Sequence, residues 1–262
     1  MTKYFNVDVI PDCIAGDVSN NNGTVDIDAG DIIFNWTAVD VPKGSCLLKS
    51  VAAYVNAQDG SYSAGSLADY ELVLAKSING VAPPSLGNIG AAQTTGGSIR
   101  NHVIGGVRLE SAAGAGTLTK LAFGVVYTSS INGGADTNIG PNIVIDLEPE
   151  SGTNVGYDKL YVAGFQASAR KWGTGVLLNE GNIDASAAPT NSITVDGTDA
   201  TKMFSVGDQV YVHDLDTPIP GTLTEVTTNT LTFSETNNTV DIDENDELLN
   251  ANPIRLKFGF ER

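Results

Sequence analysis

Histidine and cysteine are nearly absent from this 262-residue chain, at two each, and basic residues are few. Two cysteines, Cys13 and Cys46, cannot build a disulfide framework. With nothing else pointing to an oxidising compartment, two free thiols are expected rather than one bridge. Lys and Arg total 14 against 31 Asp and Glu, a formal charge of −17. Nucleic-acid affinity comes mainly from basic side chains displacing phosphate counterions. Here the densest basic spot is the pair Arg170-Lys171, so nucleic acid is a poor partner, and anionic membrane surfaces are disfavoured for the same reason. No stretch approaches the ~18 apolar residues of a membrane span. The opening Met1-Thr2-Lys3-Tyr4-Phe5-Asn6-Val7-Asp8 lacks the apolar core of a secretory signal, so synthesis in a cytoplasm without secretion is expected.

The residues that usually carry catalysis are as sparse. His102 lies beside Arg100 and Asn101 in a glycine-rich stretch, and His213 ends an apolar run next to Asp214 and Asp216. Neither has a second His or Cys nearby with which to hold a transition metal. There is no Gly-x-Ser-x-Gly elbow and no phosphate-binding Gly-x4-Gly-Lys-Ser/Thr loop. Neither cysteine has the neighbouring His or basic cluster that would activate a thiolate. Glu148 and Glu150 flank Pro149; surface charge is the simpler reading of them than a glycosidase pair. No catalytic residue and no cofactor are assigned, and the chain reads as a non-enzyme.

Period-two apolar alternation is what the sequence does have. Tyr4–Ile10, Asp31–Val39, Leu47–Asn56, Tyr70–Ser77, Leu118–Thr128, Asn142–Leu147 and Lys159–Ser168 are short, rich in β-branched and aromatic residues, and bounded by Gly, Asn, Asp or Pro. Each suits a strand. Asn79-Gly80 marks a tight turn. Two long glycine-rich stretches, 79–106 and 129–141, read as surface loops, either contact arms or flexible connections. Ala185-Ser186-Ala187-Ala188-Pro189-Thr190 reads as a linker. Beyond it, strands at Ser192–Asp196, Gln209–His213, Gly221–Thr227 and Thr230–Ser234 would share a small core of Val210, Val212, Leu223, Val226, Leu231 and Phe233. Asp241–Asn250 reads as an acidic connector, and Pro253–Phe260 as a strand returning to the first domain. The expected fold is all-β: a jelly-roll-like β-sandwich of residues 1–184 plus 251–262, with a small barrel-like β-module, 191–250, inserted near the C-terminus.

The acids are the best place to look for a ligand. Asp17-Val18-Ser19-Asn20-Asn21-Asn22-Gly23 begins like an EF-hand loop, but its glycine comes one position late and Asp28 stands where Glu belongs. A generic calcium site is the lesser alternative to a solvated acidic face, with Asp26, Asp28 and Asp31, or Asp241, Asp243 and Asp246, as candidate ligands. The two regions echo one another as Thr24-Val25-Asp26-Ile27-Asp28 and Thr239-Val240-Asp241-Ile242-Asp243. On a strand, this spacing sets the aspartates on the face opposite Val and Ile. Aromatic residues that could form a sugar platform, Trp36, Trp172, Tyr62 and Tyr157, are dispersed.

The run Phe204-Ser205-Val206-Gly207-Asp208-Gln209-Val210-Tyr211-Val212, followed by Gly221-Thr222-Leu223-Thr224-Glu225-Val226 and Leu231-Thr232-Phe233, resembles β-modules of tailed-phage virion structural proteins, of the marine and cyanophage kind. The closing Pro253–Phe260 strand is similar in style. The resemblance covers about 70 residues and implies no catalytic residue. It implies a capsid decoration, or cement, protein on the virion surface that binds the major capsid protein and neighbouring copies of itself. A homo-oligomer matched to local capsid symmetry follows, a trimer being the expectation. A neck, tail or baseplate protein and a carbohydrate-binding adhesin-like module are the alternatives.

Overall fold

The computed structural model describes residues 3–13, 25–42, 45–55, 70–94, 96–110, 121–127, 143–145, 157–167, 170–172, 177–179, 181–197, 199–212 and 217–262. Those residues are all-β, with antiparallel sheets and no α-helix; one turn of 3-10 helix spans Ala200–Lys202. No helix among them is long and apolar enough to cross a membrane.

The largest sheet has nine strands: β1 (Tyr4–Val9), β3 (Ile32–Pro42), β4 (Cys46–Val55), β5 (Tyr70–Lys76), β6 (Val103–Glu110), β7 (Leu121–Tyr127), β8 (Ile143–Ile145), β9 (Tyr157–Gln166) and β18 (Ile254–Glu261). Its order is β1-β18-β4-β7-β6-β5-β9-β3, and β8 continues beyond β7 along β4. The sheet curls round a single core to which both ends contribute: Val9 from β1, Val39 and Val41 from β3. Cα atoms of these two edge strands come within 8 Å of each other, yet no ladder joins them and the sheet does not close into a barrel.

The last strand is central to this core. Ile254, Leu256, Phe258 and Phe260 alternate inward along β18 and are buried, while β1 and β4 pair along its two edges. The Phe260 ring stacks on Phe5 at 5.2 Å and on Phe258 at 6.3 Å. Full burial of such a side chain is worth about 1.5–3 kcal/mol, so the returning strand holds the main sheet together.

Cys13 and Cys46 are both free thiols buried at this core. Burial, and secondarily the charge of Asp12, push the Cys13 thiol well up. Burial pushes Cys46 up to about 11, against a smaller opposing pull from Arg262. Neither has thiolate character at neutral pH. A thiol reagent is therefore expected to label neither in the native protein and both after denaturation without reductant. Rapid native labelling, or no labelling after unfolding, would show this assignment to be wrong.

The smaller sheets involve β2 (Val25–Ile27) with β10 (Arg170–Trp172), and two further groups. The four-stranded one is β11 (Leu177–Asn179), β12 (Thr190–Gly197), β16 (Thr230–Asn237) and β15 (Leu223–Val226). The three-stranded one is β14 (Thr217–Pro218), β13 (Val210–Val212) and β17 (Leu248–Asn250). Neither of these two closes into a barrel. A second core of Ile193, Val195, Phe204, Val210, Val212, Leu223, Leu231, Phe233 and Leu248 lies between them, with Val226 half-buried at its margin.

Three connections are more ordered than their composition suggests. The segment read as an acidic connector includes β17, whose Leu248 and Leu249 are buried. The segment read as a linker is a capped turn: Asp184 accepts from the Ser186 and Ala187 amides, and the Ala185 amide donates to Asp241. The glycine-rich stretch 79–106 ends in β6, and Leu86, Ile89 and Ile99 anchor its described part to the sheet. Leu86 is buried there against Ile32 and Ala163, with Trp36, Ile89, Ile99 and Phe165 around it. The other glycine-rich stretch, 129–141, lies outside the described residues, as do Glu148, Glu150, Tyr62 and the Asp17–Gly23 segment.

Candidate functional site

His102 closes the base of the 77–102 loop. Its Nδ1 donates to the Lys76 carbonyl at 2.9 Å, and the Lys76 amide donates to the His102 carbonyl at 2.9 Å. A ring nitrogen facing a carbonyl must carry the proton, so this imidazole is a structural clamp. His213, Asp214 and Asp216 lie outside the described residues.

The acidic echo folds into the same turn twice. Asp31 N–H donates to the Asp28 carbonyl at 3.1 Å, and Asp28 N–H donates to the Asp31 carboxylate at 3.0 Å. Asp246 N–H donates to the Asp243 carbonyl at 3.1 Å, and Asp243 N–H to the Asp246 carboxylate at 2.9 Å. Each turn has a left-handed third residue, Gly30 at φ 93° and Asn245 at φ 71°, as a type II turn requires. Each follows a buried isoleucine, Ile27 or Ile242, and leads into a buried pair, Ile33-Phe34 or Leu248-Leu249. Asn35 and Asn250 then hold equivalent places. Of the six aspartates proposed as cation ligands, Asp31, Asp241 and Asp246 thus accept backbone amides. Asp28 and Asp243 are exposed at the turns, and the Asp26 side chain is outside the described set. No three metal-ligating side chains converge among the described residues.

Each of the two equivalent asparagines locks distant parts of the chain together. Asn35 fastens the 77–102 loop to β3. Its Nδ2 donates to the Gly87 carbonyl at 2.8 Å and to Ser85 Oγ at 3.2 Å, and its Oδ1 accepts from the Leu86 amide. Beside it, Trp36 Nε1 donates to the Pro84 carbonyl at 2.9 Å. Between this loop, β3 and the chain leaving β1 is a cleft of about 210 Å³, lined by Asp12, Asn35, Trp36, Thr37, Gly87, Asn88 and Ile89. It therefore sits where the two edges of the main sheet approach one another.

Asn250, on β17, fastens that strand to the 203–208 turn. Its Nδ2 donates to the Met203 carbonyl at 2.7 Å and to Asp208 Oδ2 at 2.8 Å. Asp208 is fully buried and also accepts from the Ser205 amide at 2.7 Å and from Arg255 Nη2 at 2.5 Å. Arg255 belongs to β18, so this ion pair joins the main sheet to the module. It donates as well to the Val206 carbonyl at 2.6 Å. Asn252 completes the junction, accepting from the Gln209 amide and donating to the Pro11 carbonyl. Desolvation raises the Asp208 carboxyl above its ordinary pKa, against the opposing pull of Arg255, the Ser205 amide and Asn250.

Sequence reading missed both places. Asn35–Thr37 and Gly87–Ile89 meet only because the 77–102 loop returns to β3. Asp208 reads locally as the end of a tight turn, and a turn it is: its amide donates to Ser205 and Gly207 has φ 91°. Its partner lies 47 residues away. Comparison with known protein families, characterised proteins and solved structures finds no match.

Proposed function

We propose that this chain is a non-catalytic structural component of a phage particle, a decoration protein seated on the major capsid shell. The observation that carries the reading is the strand order β1-β18-β4-β7 followed by β6-β5-β9-β3. The first strand lies beside the last, and sequence-distant strands interleave, as in a jelly roll wound from two Greek keys. Jelly rolls recur in viral capsid and lectin domains. That is an analogy of fold, and one fold serves many functions. The resemblance of residues 204–233 to phage virion modules narrows it, and a charge of −17 suits a surface facing away from packaged DNA. The module between β9 and β18, held by the Asp208–Arg255 junction, would serve as a rigid contact element. Its partners would be capsid subunits and neighbouring copies of this chain, as a trimer.

Quantitative mass spectrometry of purified particles tests this reading. A copy number comparable with that of the shell subunits is expected. Absence from the particle overturns the virion assignment; a handful of copies overturns decoration in favour of the neck, tail or baseplate.

A further inference from the structure

We propose that the cleft between β3, residues 87–89 and Asp12 binds one neutral sugar ring. Its volume, about 210 Å³, falls below the ~300–1,000 Å³ of pockets for drug-sized ligands but accommodates a single pyranose. The lining has two characters. Trp36 and Ile89 are apolar, while Asp12, Asn88 and Thr37 carry polar groups. A pyranose divides in the same way, with a patch of C–H bonds on its faces and hydroxyls round its rim. Apolar faces pack on aromatic rings, and amide and carboxylate groups orient the hydroxyls.

The cleft is built in advance. The Trp36 indole N–H is held by Pro84, and Asn35 spends both ends of its amide on the loop opposite and on its own strand. Binding there would cost little ordering of the walls. Gly87 has φ 124°, a conformation side chains rarely adopt, so the loop presents bare backbone at the cleft. Asn88 is exposed and its amide has no hydrogen-bond partner among the described residues, leaving a donor and an acceptor for a ligand.

The same lining argues against other ligand classes. Among the described residues it contains no Lys, Arg or His, and it contains a carboxylate, so phosphorylated or acidic ligands would be repelled. A single carboxylate is too few ligands for a bare cation. The reading concerns the isolated chain and does not depend on its place in a particle.

Trp36 and Trp172 are the only tryptophans, so Trp172→Phe leaves Trp36 as the sole indole reporter. Its fluorescence would be titrated with methyl α-glucoside, methyl α-mannoside, methyl β-galactoside and N-acetylglucosamine. Saturable change with at least one is expected, with a Kd of about 1–10 mM at the efficiency usual for small ligands. Asn88→Ala is expected to weaken it at least about tenfold while leaving the thermal midpoint unchanged, because that amide makes no hydrogen bond among the described residues. No saturation with any of the four overturns the proposal. So does a response unaffected by Asn88→Ala, one equalled by ethylene glycol at matched concentration, or saturation by a free nucleobase in place of the sugars.

Discussion

Gly164→Ala is expected to destabilise the main sheet by about 2–3 kcal/mol, more than one methyl group suggests. Gly164 on β9 lies opposite Phe34 on β3, and the ladder shifts register on both sides of Phe34. A Cβ at Gly164 would stand 2.3 Å from Phe34 Cε1, 2.7 Å from Cδ1 and 2.8 Å from Cζ. The ring covers the bare glycine, an arrangement by which an aromatic residue makes good the packing a strand glycine lacks. Phe34 is 1 % exposed and has no solvent into which to swing. The substitution therefore either overpacks the core, at about 1–3 kcal/mol, or expels a phenyl ring whose burial is worth about 1.5–3 kcal/mol, and the backbone must adjust in both cases. Urea unfolding measures the loss, and a second substitution tests the cause. Phe34→Leu alone should destabilise by uncovering the glycine. In the Gly164→Ala background it should recover at least about 1 kcal/mol, because the new methyl fills the space the ring has left. Strict additivity of the two changes would show that the crowding is not between them.

This contact also shows where local pattern carried the fold and where it could not. Alternation in Phe258–Phe260, the strands of the 209–234 region and the Asn79-Gly80 turn depends on neighbours along the chain and could be read directly. Asn79 and Gly80 have φ of 51° and 75° and close the Ile78–Val81 bridge, the left-handed pair of a type I′ turn. Strand β6 could not be read, because Gly105-Gly106 looks like loop. Gly106 pairs with Val73 across the ladder, so closely that a Cβ would come 3.1 Å from the neighbouring Leu72 carbonyl oxygen. There glycine reflects the approach of two backbones, not a chain reversal. The acidic echo carried a turn that its spacing does not announce. Asp31 and Asp246 each accept an amide of their own turn, the habit that makes Asp common beside turns in general. The loop over β3 was legible only as glycine-rich, since Leu86, Ile89 and Ile99 are spaced too widely to signal a strand or helix and find their core only in three dimensions. The cleft and the module junction both depend on pairings between residues more than 40 positions apart, for which local periodicity carries no signal.

Arg255→Ala is the second large effect expected, and it should depend on pH. Asp208 is fully buried, whereas the Arg255 side chain remains 29 % exposed. Removing the guanidinium leaves a buried carboxylate that has lost the charge of Arg255 and keeps the Ser205 amide and Asn250 as donors. Stranding a buried charge in this way costs about 3–5 kcal/mol. Asp208→Asn is expected to cost less than about 1 kcal/mol at pH 7. It retains an oxygen for the Ser205 amide, and it strands only a cation that can reach water and the Val206 carbonyl. Burial already raises the Asp208 pKa in the folded protein. Such a group stabilises the fold fully below its unfolded pKa, about 3.9, and that contribution is lost as pH rises through the folded value. Without Arg255 the folded value climbs further, so the Arg255→Ala deficit should shrink between pH 7 and pH 5 as Asp208 takes up a proton. Urea unfolding of both variants and of the double variant at these two pH values decides the matter. Expected are a large deficit for Arg255→Ala at pH 7, partial recovery at pH 5, and near-complete recovery at pH 7 when Asp208→Asn is added. If Asp208→Asn proves as costly as Arg255→Ala, or the deficit does not change with pH, the junction is held by packing of Tyr211, Leu249 and Ala251 rather than by the charge pair.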